Sequence, residues 1–193
     1  EITLSKTSGT PDSNSAISFF TAANFLAYGN NLSVVRAIGS SLNSTAAGSG
    51  VQIVNSDSYQ YTYLLPNNNN AYGSFAARYP GALGNSLRVE VFDSANTTLF
   101  NAWTYAGYFT STPNTSPFVT RANGHDDEFH IVVVDEDGLF TGSKGQVLET
   151  FPFVSKAINA INSNDGSTNY YKQVIFNKSK YIYAMDPVDY NVT

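Results

Sequence analysis

The sequence contains no cysteine, and only 13% of its 193 residues are charged. Without cysteine, neither a disulfide framework nor a thiolate metal site can form. Basic residues are scarce as well, because ten lysines and arginines stand against fifteen acidic residues, giving a net charge of −5. The composition therefore argues against a nucleic-acid partner, since such interfaces need a clustered positive surface.

Long apolar runs are missing too. No stretch approaches the roughly 20 residues that span a bilayer, so we expect no membrane insertion. Nucleophile-elbow, metalloprotease and glycine-rich phosphate-binding motifs are also absent. We therefore predict no catalytic residue, no cofactor, no bound metal and no enzymatic activity. What remains is a polar but weakly charged chain, and such surfaces suit close packing against neighbouring subunits because few charges must be desolvated.

Residues 14–39 combine a helix, a glycine and a buried strand. Ser13 or Asn14 is a suitable N-cap for the helix. Gly29 is predicted to close the helix in a left-handed conformation, and residues 34–38 are predicted to form the strand.

This helix is apolar on more than one side, since Ile17, Phe25 and Tyr28 fall outside its main apolar arc. A helix on the surface of a small domain keeps one polar face. We therefore expect the helix to be covered twice, once by its own sheet and once by a further partner.

Two sequence blocks carry a family resemblance. The run FFTAANFLAYGNNLSVVRAIG (residues 19–39) resembles an N-proximal helix-and-strand signature of tail sheath proteins from contractile bacteriophages. The block ARYPGALGNSLRVEVFD (residues 77–93) is similar to a second sheath signature, a Tyr-Pro-Gly-x-x-Gly-Asn turn followed by an alternating strand. A looser likeness covers residues 127–156 and 166–184. On this basis the chain is interpreted as a central fragment of a sheath protein.

The resemblance implies a structural virion protein, made late in infection. Many copies would form a homo-oligomeric helical sheath around the tail tube and contract to drive it through the host envelope. Its implied partners are the tail tube protein, the baseplate and the tail terminator proteins. Its implied location is the virion tail, and the host cytoplasm during assembly.

The resemblance also implies a division into three parts. Residues 1–39 would be the helix-strand part of an inner sheath domain, and residues 40–75 a linker with a reduced outer insertion. Residues 76–193 would form a β-sandwich-like middle domain. The predicted fold class is α+β and β-rich, with that middle domain and a helix-strand piece of an incomplete mixed α/β domain.

Apolar and polar alternation predicts the main strands, at residues 86–93, 128–135, 146–154 and 180–185. The continuous Ile-Val-Val-Val run at residues 131–134 predicts burial on both faces, and Pro152 places the partner strand at a sheet edge or marks the end of that strand. Short helices are predicted at residues 154–161 and 168–175. Residues 97–109 are predicted to be extended or irregular, and residues 110–125 to form a loop.

Residues 51–54 and 59–65 are predicted to be short strands. The second would align Tyr59, Tyr61 and Tyr63 on one face. Such a ladder gives an alternative function, a tyrosine-rich β-sandwich module that binds carbohydrate in a fibre or adhesin. The simpler interpretation is an ordinary exposed strand.

The densest polar cluster, here called the acidic corner, contains potential metal ligands. Its members are His125, Asp126, Asp127, Glu128 and His130. No third ligand group with matching spacing occurs elsewhere, so a solvated loop entering a strand is the favoured interpretation. The nearby sequence Asp-Glu-Asp-Gly, residues 135–138, resembles the start of a calcium loop, but a hairpin turn with positive φ explains it more simply.

Overall fold

The computed structural model describes residues 6–7, 10–11, 13–33, 41–64 and 72–188. The chain divides into two compact units, Glu1–Gly39 and Ser40–Thr193. The predicted α+β class is confirmed, because helices accompany two antiparallel three-stranded sheets in the second unit. The finer division at residue 75 stays a prediction.

The described strands are short except for two in the second unit. They are Lys6–Thr7 (β1), Thr10–Pro11 (β2), Asn43–Thr45 (β3), Phe75–Pro80 (β4), Leu87–Phe92 (β5), Glu128–Asp135 (β6), Gln146–Ser155 (β7) and Ile182–Ala184 (β8). The α-helices are Ser13–Leu26 (α1), Ser56–Tyr59 (α2), Thr97–Ala102 (α3), Pro117–Arg121 (α4) and Tyr171–Lys178 (α5). A π-helical segment spans Gln60–Leu64, and 3₁₀ turns span Ala82–Ser86 and Ala106–Tyr108.

The first unit contains α1 and the small hairpin of β1 and β2. The helix is confirmed, but the prediction that Gly29 closes it in a left-handed conformation is wrong. The amides of Tyr28 and Gly29 both donate to the carbonyl of Phe25, at 3.1 and 2.9 Å. The chain therefore leaves the helix through a right-handed turn. The strand predicted at residues 34–38 lies outside the described residues.

The second unit is built from two sheets, with strand orders β3-β4-β8 and β5-β6-β7. The predicted strands at residues 86–93, 128–135, 146–154 and 180–185 are confirmed as β5, β6, β7 and β8. The predicted edge position of Pro152 is also confirmed, since β7 lies at the end of its sheet. In the register of β5 and β6, Leu87 faces Asp135 and Phe92 faces His130.

Strand β6 is buried on both faces, as its sequence predicts, and residues 131–134 have no exposed surface. Its first face carries Phe129, Ile131 and Val133, which pack against α5 and against Phe75 and Ile182 of the other sheet. The two sheets therefore share one hydrophobic core. Burying side chains of this size contributes about 1.5–3 kcal/mol each to stability.

The second face of β6 is covered by residues 94–127, here called the covering segment. Val132 and Val134 pack on this face with Tyr105, and Trp103 and Phe109 complete the cluster. The connection between β5 and β6 thus folds back over the sheet that it leaves. This excursion explains how a single strand becomes enclosed on both sides.

The Tyr-Pro-Gly-x-x-Gly-Asn motif forms a tight turn between β4 and β5. Gly84 lies so close to the preceding strand that an added Cβ would stand 2.7 Å from the Cβ of Ala77 and 3.0 Å from the carbonyl oxygen of Tyr79. Only glycine permits that approach. The motif thereby turns the chain from one sheet into the other.

Several secondary-structure predictions are wrong. Of residues 51–54 only Val51 forms a β-bridge, and residues 56–64 are helical instead of extended. Helix α3 replaces the irregular segment expected at residues 97–109, and α4 interrupts the loop expected at 110–125. Strand β7 continues to Ser155, where a helix was predicted. The helix expected at residues 168–175 exists but begins at Tyr171.

Side-chain caps account for two of the unexpected helices, α2 and α3. The side-chain oxygen of Asn55 accepts the amide of Ser58 at 2.7 Å, and that of Asn96 accepts the amide of Thr98 at 2.9 Å. Each bond satisfies a free N–H group of the first turn. The caps therefore favour helix over the strand propensity of the following aromatic and β-branched residues.

Replacing Gly84 by alanine tests the role of the motif turn. We expect Gly84→Ala to lower the free energy of unfolding by about 1–3 kcal/mol, because the new methyl group meets packed backbone and side-chain atoms. Gly107→Ala is the matched control, since an added Cβ there has no neighbour within 4 Å. Urea unfolding of both variants measures the difference. Equal stability of the two would contradict the packing account.

Candidate functional site

The acidic corner does not assemble into one site. The side chains of His125 and Asp126 are exposed and contact each other, with 3.1 Å between Nδ1 and Oδ2. Asp127 is buried, and His130 lies inside the core on the second face of β6. Among the described residues, no group of three or more His, Asp or Glu side chains is placed to hold a metal ion.

Asp127 joins the covering segment to β7. Its carboxylate accepts the amide of Ser116 at 2.7 Å and the hydroxyl of the same residue at 2.9 Å, and it also accepts the hydroxyl of Ser155. The Asp127 carbonyl accepts the amide of Lys156 at 2.8 Å. These donors satisfy the hydrogen-bonding capacity of the buried carboxylate. Asp127 therefore has a structural role, holding the covering segment against β7.

Glu128 directly follows Asp127 and is the first residue of β6. Its carboxylate accepts the amide of Asn114 at 3.3 Å, and its own amide donates to the Asn114 carbonyl. Burial raises the pKa of Glu128, and the bond from Asn114 opposes that shift. The prediction that Glu128 and His130 share a strand face is correct, but the two side chains bind different partners, since Glu128 accepts the Asn114 amide and His130 contacts Ser111 and Phe153.

Asp135, at the other end of β6, organises the hairpin loop. Its carboxylate accepts the Ser86 hydroxyl at 2.6 Å and the amides of Phe140 and Thr141 at 3.0 and 2.8 Å. The Ser86 hydroxyl oxygen in turn accepts two loop amides, from Asp137 and Leu139. Amide and hydroxyl donors thus surround the carboxylate, which is the environment of a loop anchor and unlike the oxygen shell of calcium.

The predicted turn is confirmed at Gly138, whose φ is 77°.

Burial by itself would raise the pKa of Asp135, but hydrogen bonds from Ser86, Thr141 and Phe140 outweigh it and lower the pKa to about 2. The ionised form is therefore the one that the fold holds.

The predicted tyrosine ladder is wrong. Tyr59 is fully buried, stacks on Tyr183 at 4.3 Å between ring centroids, and donates its hydroxyl to the Ala184 carbonyl. Burial raises the pKa of Tyr59. Tyr61 is exposed, whereas Tyr63 packs edge-on against Tyr72. These tyrosines lie on helical backbone, where Tyr59 and Tyr63 stack on each other with 6.2 Å between ring centroids and Tyr61 is turned to solvent. They therefore do not form a flat sugar-binding edge.

Exposed apolar side chains concentrate on α1 in the first unit. Ile17, Phe20, Phe25, Leu26 and Tyr28 are all exposed, and Tyr28 reaches 96%. Residues 13–33 contain no charged side chain. This uncharged apolar helix surface is unusual for a protein surface in contact with water.

A shallow groove of about 460 Å³ runs along the same helix. Ile17, Phe25 and Leu32 line it together with small polar residues. The groove has the apolar character of a protein contact and lacks the converging polar groups of a ligand site.

Sequence reasoning missed Asp135 and Ser86 as a buried pair. The sequence did contain one signal for this pair: Asp135 directly follows a continuous apolar run. A carboxylate at the end of such a buried strand needs a hydrogen-bond partner, because burial without one is costly. The position of Ser86, 49 residues earlier, had no local signal.

Comparison with known proteins finds a relative of this chain. Over 137 residues the chain is 30% identical to a protein named tail sheath protein from Salmonella phage ViI. The matched region covers 71% of this chain but 19% of the relative, so the chain spans less than a fifth of that protein's length. No protein-family profile matches the sequence. No helix in the described part of the chain is long and apolar enough to cross a membrane.

Acid unfolding tests the Asp135 anchor. Because the folded-state pKa, about 2, lies below the unfolded value of about 3.9, the stabilisation is present above pH 4 and is lost as pH falls from 4 to 2. We expect Asp135→Asn to lower the urea midpoint at pH 6 and to flatten its dependence between pH 4 and 2. Asp137→Asn, in the same loop, is the control and should keep the wild-type profile. The same loss in both variants would contradict a specific anchor.

Metal titration tests the interpretation of the acidic corner. We expect zinc and calcium ions to leave the melting temperature unchanged, because its two histidines lie in separate environments. A thermal-shift assay measures this directly. Stabilisation by either ion that disappears in His125→Asn would establish a site that the geometry argues against.

Proposed function

We propose that this chain is part of a contractile tail sheath subunit of a bacteriophage, a structural virion protein without catalytic residues. The observation that carries the proposal is the 30% identity to a phage tail sheath protein over most of the chain. The sheath-like motif at residues 77–93 supports it, because that motif forms the turn that links the two sheets. In this proposal the chain acts as one copy in a homo-oligomeric helical tube.

The physical character of the second unit fits a subunit that moves as a rigid body. Every buried side-chain nitrogen and oxygen of the described residues has a hydrogen-bond partner. The covering segment and the loop between β6 and β7 are tied to β6 by Asp127 and Asp135. In a contractile assembly the energy of the transition lies in contacts between subunits, so each subunit must keep its own shape.

The exposed surface of α1 has a role in the same proposal. Residues 1–39 would belong to an inner domain of the subunit, and the rest of that domain would cover the apolar side of α1. The high exposure of Ile17, Phe25 and Tyr28 supports this assignment, because full burial within the chain would have removed the need for a partner. The proposed partners of the whole protein are the tail tube, the baseplate and the terminator, in the virion tail and in host cytoplasm during assembly.

The alternative of a carbohydrate-binding module has lost its structural basis. It rested on Tyr59, Tyr61 and Tyr63 sharing one strand face, and Tyr59 is enclosed in the core. We therefore keep the sheath role alone.

Assembly of the intact parent protein tests the proposal. We expect the purified protein to form hollow tubes in negative-stain electron microscopy, and Phe25→Ser to reduce tube formation severalfold because it removes apolar contact area from α1. Asn24→Ser is the matched control on the same helix, where the side chain is exposed and polar. A parent protein that stays monomeric and is missing from purified tails would refute the sheath role. Unchanged assembly of Phe25→Ser would refute only the role of α1.

A further inference from the structure

His130 lies where three parts of the second unit meet. The side chain belongs to β6, has no exposed surface, and stacks on Phe109 of the covering segment with 4.2 Å between ring centroids and 7° between ring planes. The ring of Phe153, in β7, packs edge-on against it at 4.6 Å. A single imidazole therefore contacts the central strand, the edge strand and the segment that covers both.

The partners of the ring nitrogens fix its protonation state. Nε2 lies 2.9 Å from the carbonyl oxygen of Ser111, which only accepts, so Nε2 must carry the hydrogen. Nδ1 lies 3.1 Å from the amide nitrogen of Phe153, which only donates, so Nδ1 must be bare. The neutral tautomer with its hydrogen on Nε2 therefore satisfies both of these partners.

The amide that His130 accepts belongs to a β-bulge. Phe129 pairs with Val154 and Ile131 pairs with Phe151, so two residues of β7 stand opposite His130. One of them, Phe153, has a φ of 51°, a left-handed conformation that a residue with a large side chain rarely adopts. Its carbonyl accepts the side-chain amide of Asn169 at 2.8 Å. Hydrogen bonds to both the amide and the carbonyl of Phe153 therefore hold the bulge in a strained conformation.

Few charges surround the ring. On the same sheet face, β5 carries Arg88 and Glu90, which bind each other, and β6 carries Glu128, which accepts the Asn114 amide. The residues of β7 that face this side are uncharged, and residues 94–120 contain no charged side chain. Tyr105 and Tyr108 are the titratable groups of that stretch, and the Tyr105 hydroxyl accepts a bond from Arg88 at 2.6 Å. None of these groups is placed to replace the Phe153 amide as a partner of Nδ1.

We propose that His130 is a proton-sensitive latch: its neutral ring holds the β7 bulge and the covering segment together, and protonation releases both. A proton on Nδ1 would turn an acceptor into a donor that faces the Phe153 amide. It would also place a charge in an aromatic pocket. The ring must then leave its site, and the strained bulge and the Ser111 carbonyl lose their partner. This inference does not rest on the proposed sheath role.

The direction of the pH effect follows from the burial of the ring. Burial lowers the pKa of His130 below its ordinary value of 6.5, and backbone hydrogen bonds to Ser111 and Phe129 oppose that shift in part. The unfolded or opened state then binds a proton more readily than the closed state. The latch is therefore fully closed above about pH 7 and loosens as pH falls below the ordinary histidine value.

Amide hydrogen exchange at Phe153 tests the latch in the unmodified protein. After correction for intrinsic exchange, we expect the opening constant of this amide to rise about tenfold for each pH unit below 6.5, because opening is coupled to uptake of one proton. The amide of Asn43, bonded to the Val51 carbonyl in the other sheet, is the internal reference and should stay constant unless the whole unit opens. A pH-independent opening of Phe153 would overturn the proposal.

Because the chain has only two histidines, two variants show which histidine causes the pH dependence of the opening at Phe153. His125→Asn changes the exposed histidine and should keep the full pH dependence. His130→Asn keeps a side-chain acceptor for the Phe153 amide but cannot titrate, so its opening constant should be flat between pH 7.5 and 5. If His130→Asn does not fold, nitrogen NMR of the wild-type ring replaces it and should show the Nε2–H tautomer at pH 7.5. An Nδ1–H tautomer, or the same pH dependence in His130→Asn, would overturn the proposal.

Discussion

Burial of β6 on both faces is the constraint on which the second unit depends. A strand in this position needs two independent layers, and the chain supplies them from opposite directions. The second sheet and α5 cover Phe129, Ile131 and Val133, and the covering segment encloses Val132 and Val134. Removing either layer would expose a continuous apolar strand.

The polar residues of the same strand connect these layers. Asp127 precedes the strand, His130 lies within it and Asp135 ends it, and all three are buried. Each binds a different part of the unit: Asp127 the N-cap of α4, His130 the β7 bulge and Asp135 the hairpin loop. Since a buried polar group without partners is costly, these three positions fix the loops as firmly as the apolar residues fix the sheet. This arrangement gives a rigid unit with the His130 imidazole near the middle of its central strand.

The main strands of the second unit could be predicted because their signals are local. Alternation identifies β5, and a continuous apolar run identifies β6. The helical tyrosines could not be predicted from alternation, since Tyr59 is held by Tyr183, a partner 124 positions away. The Asn55 cap was a local signal for that helix, but the strand propensity of tyrosine concealed it. Where the local preferences for helix and strand are similar, as at residues 56–64, tertiary contacts therefore determine the secondary structure.

The candidate site shows the same limit. Sequence spacing grouped His125 and His130 as possible ligands, yet β6 carries one into the core and leaves the other in solvent. Likewise, the sequence showed that α1 is apolar on more than one side, but only the structure showed that these apolar side chains are exposed. A rigid two-sheet unit and a helix segment with exposed apolar side chains, among them Ile17, Phe25 and Tyr28, are the physical basis for the proposed place in a larger assembly.

Cryo-electron microscopy of the tails of the parent virus tests that place most directly. The account predicts that the two-sheet unit, with β6 at its centre, repeats helically around the tail tube and that protein covers the apolar side of α1. A sheath density into which residues 41–64 and 72–188 do not fit would contradict it.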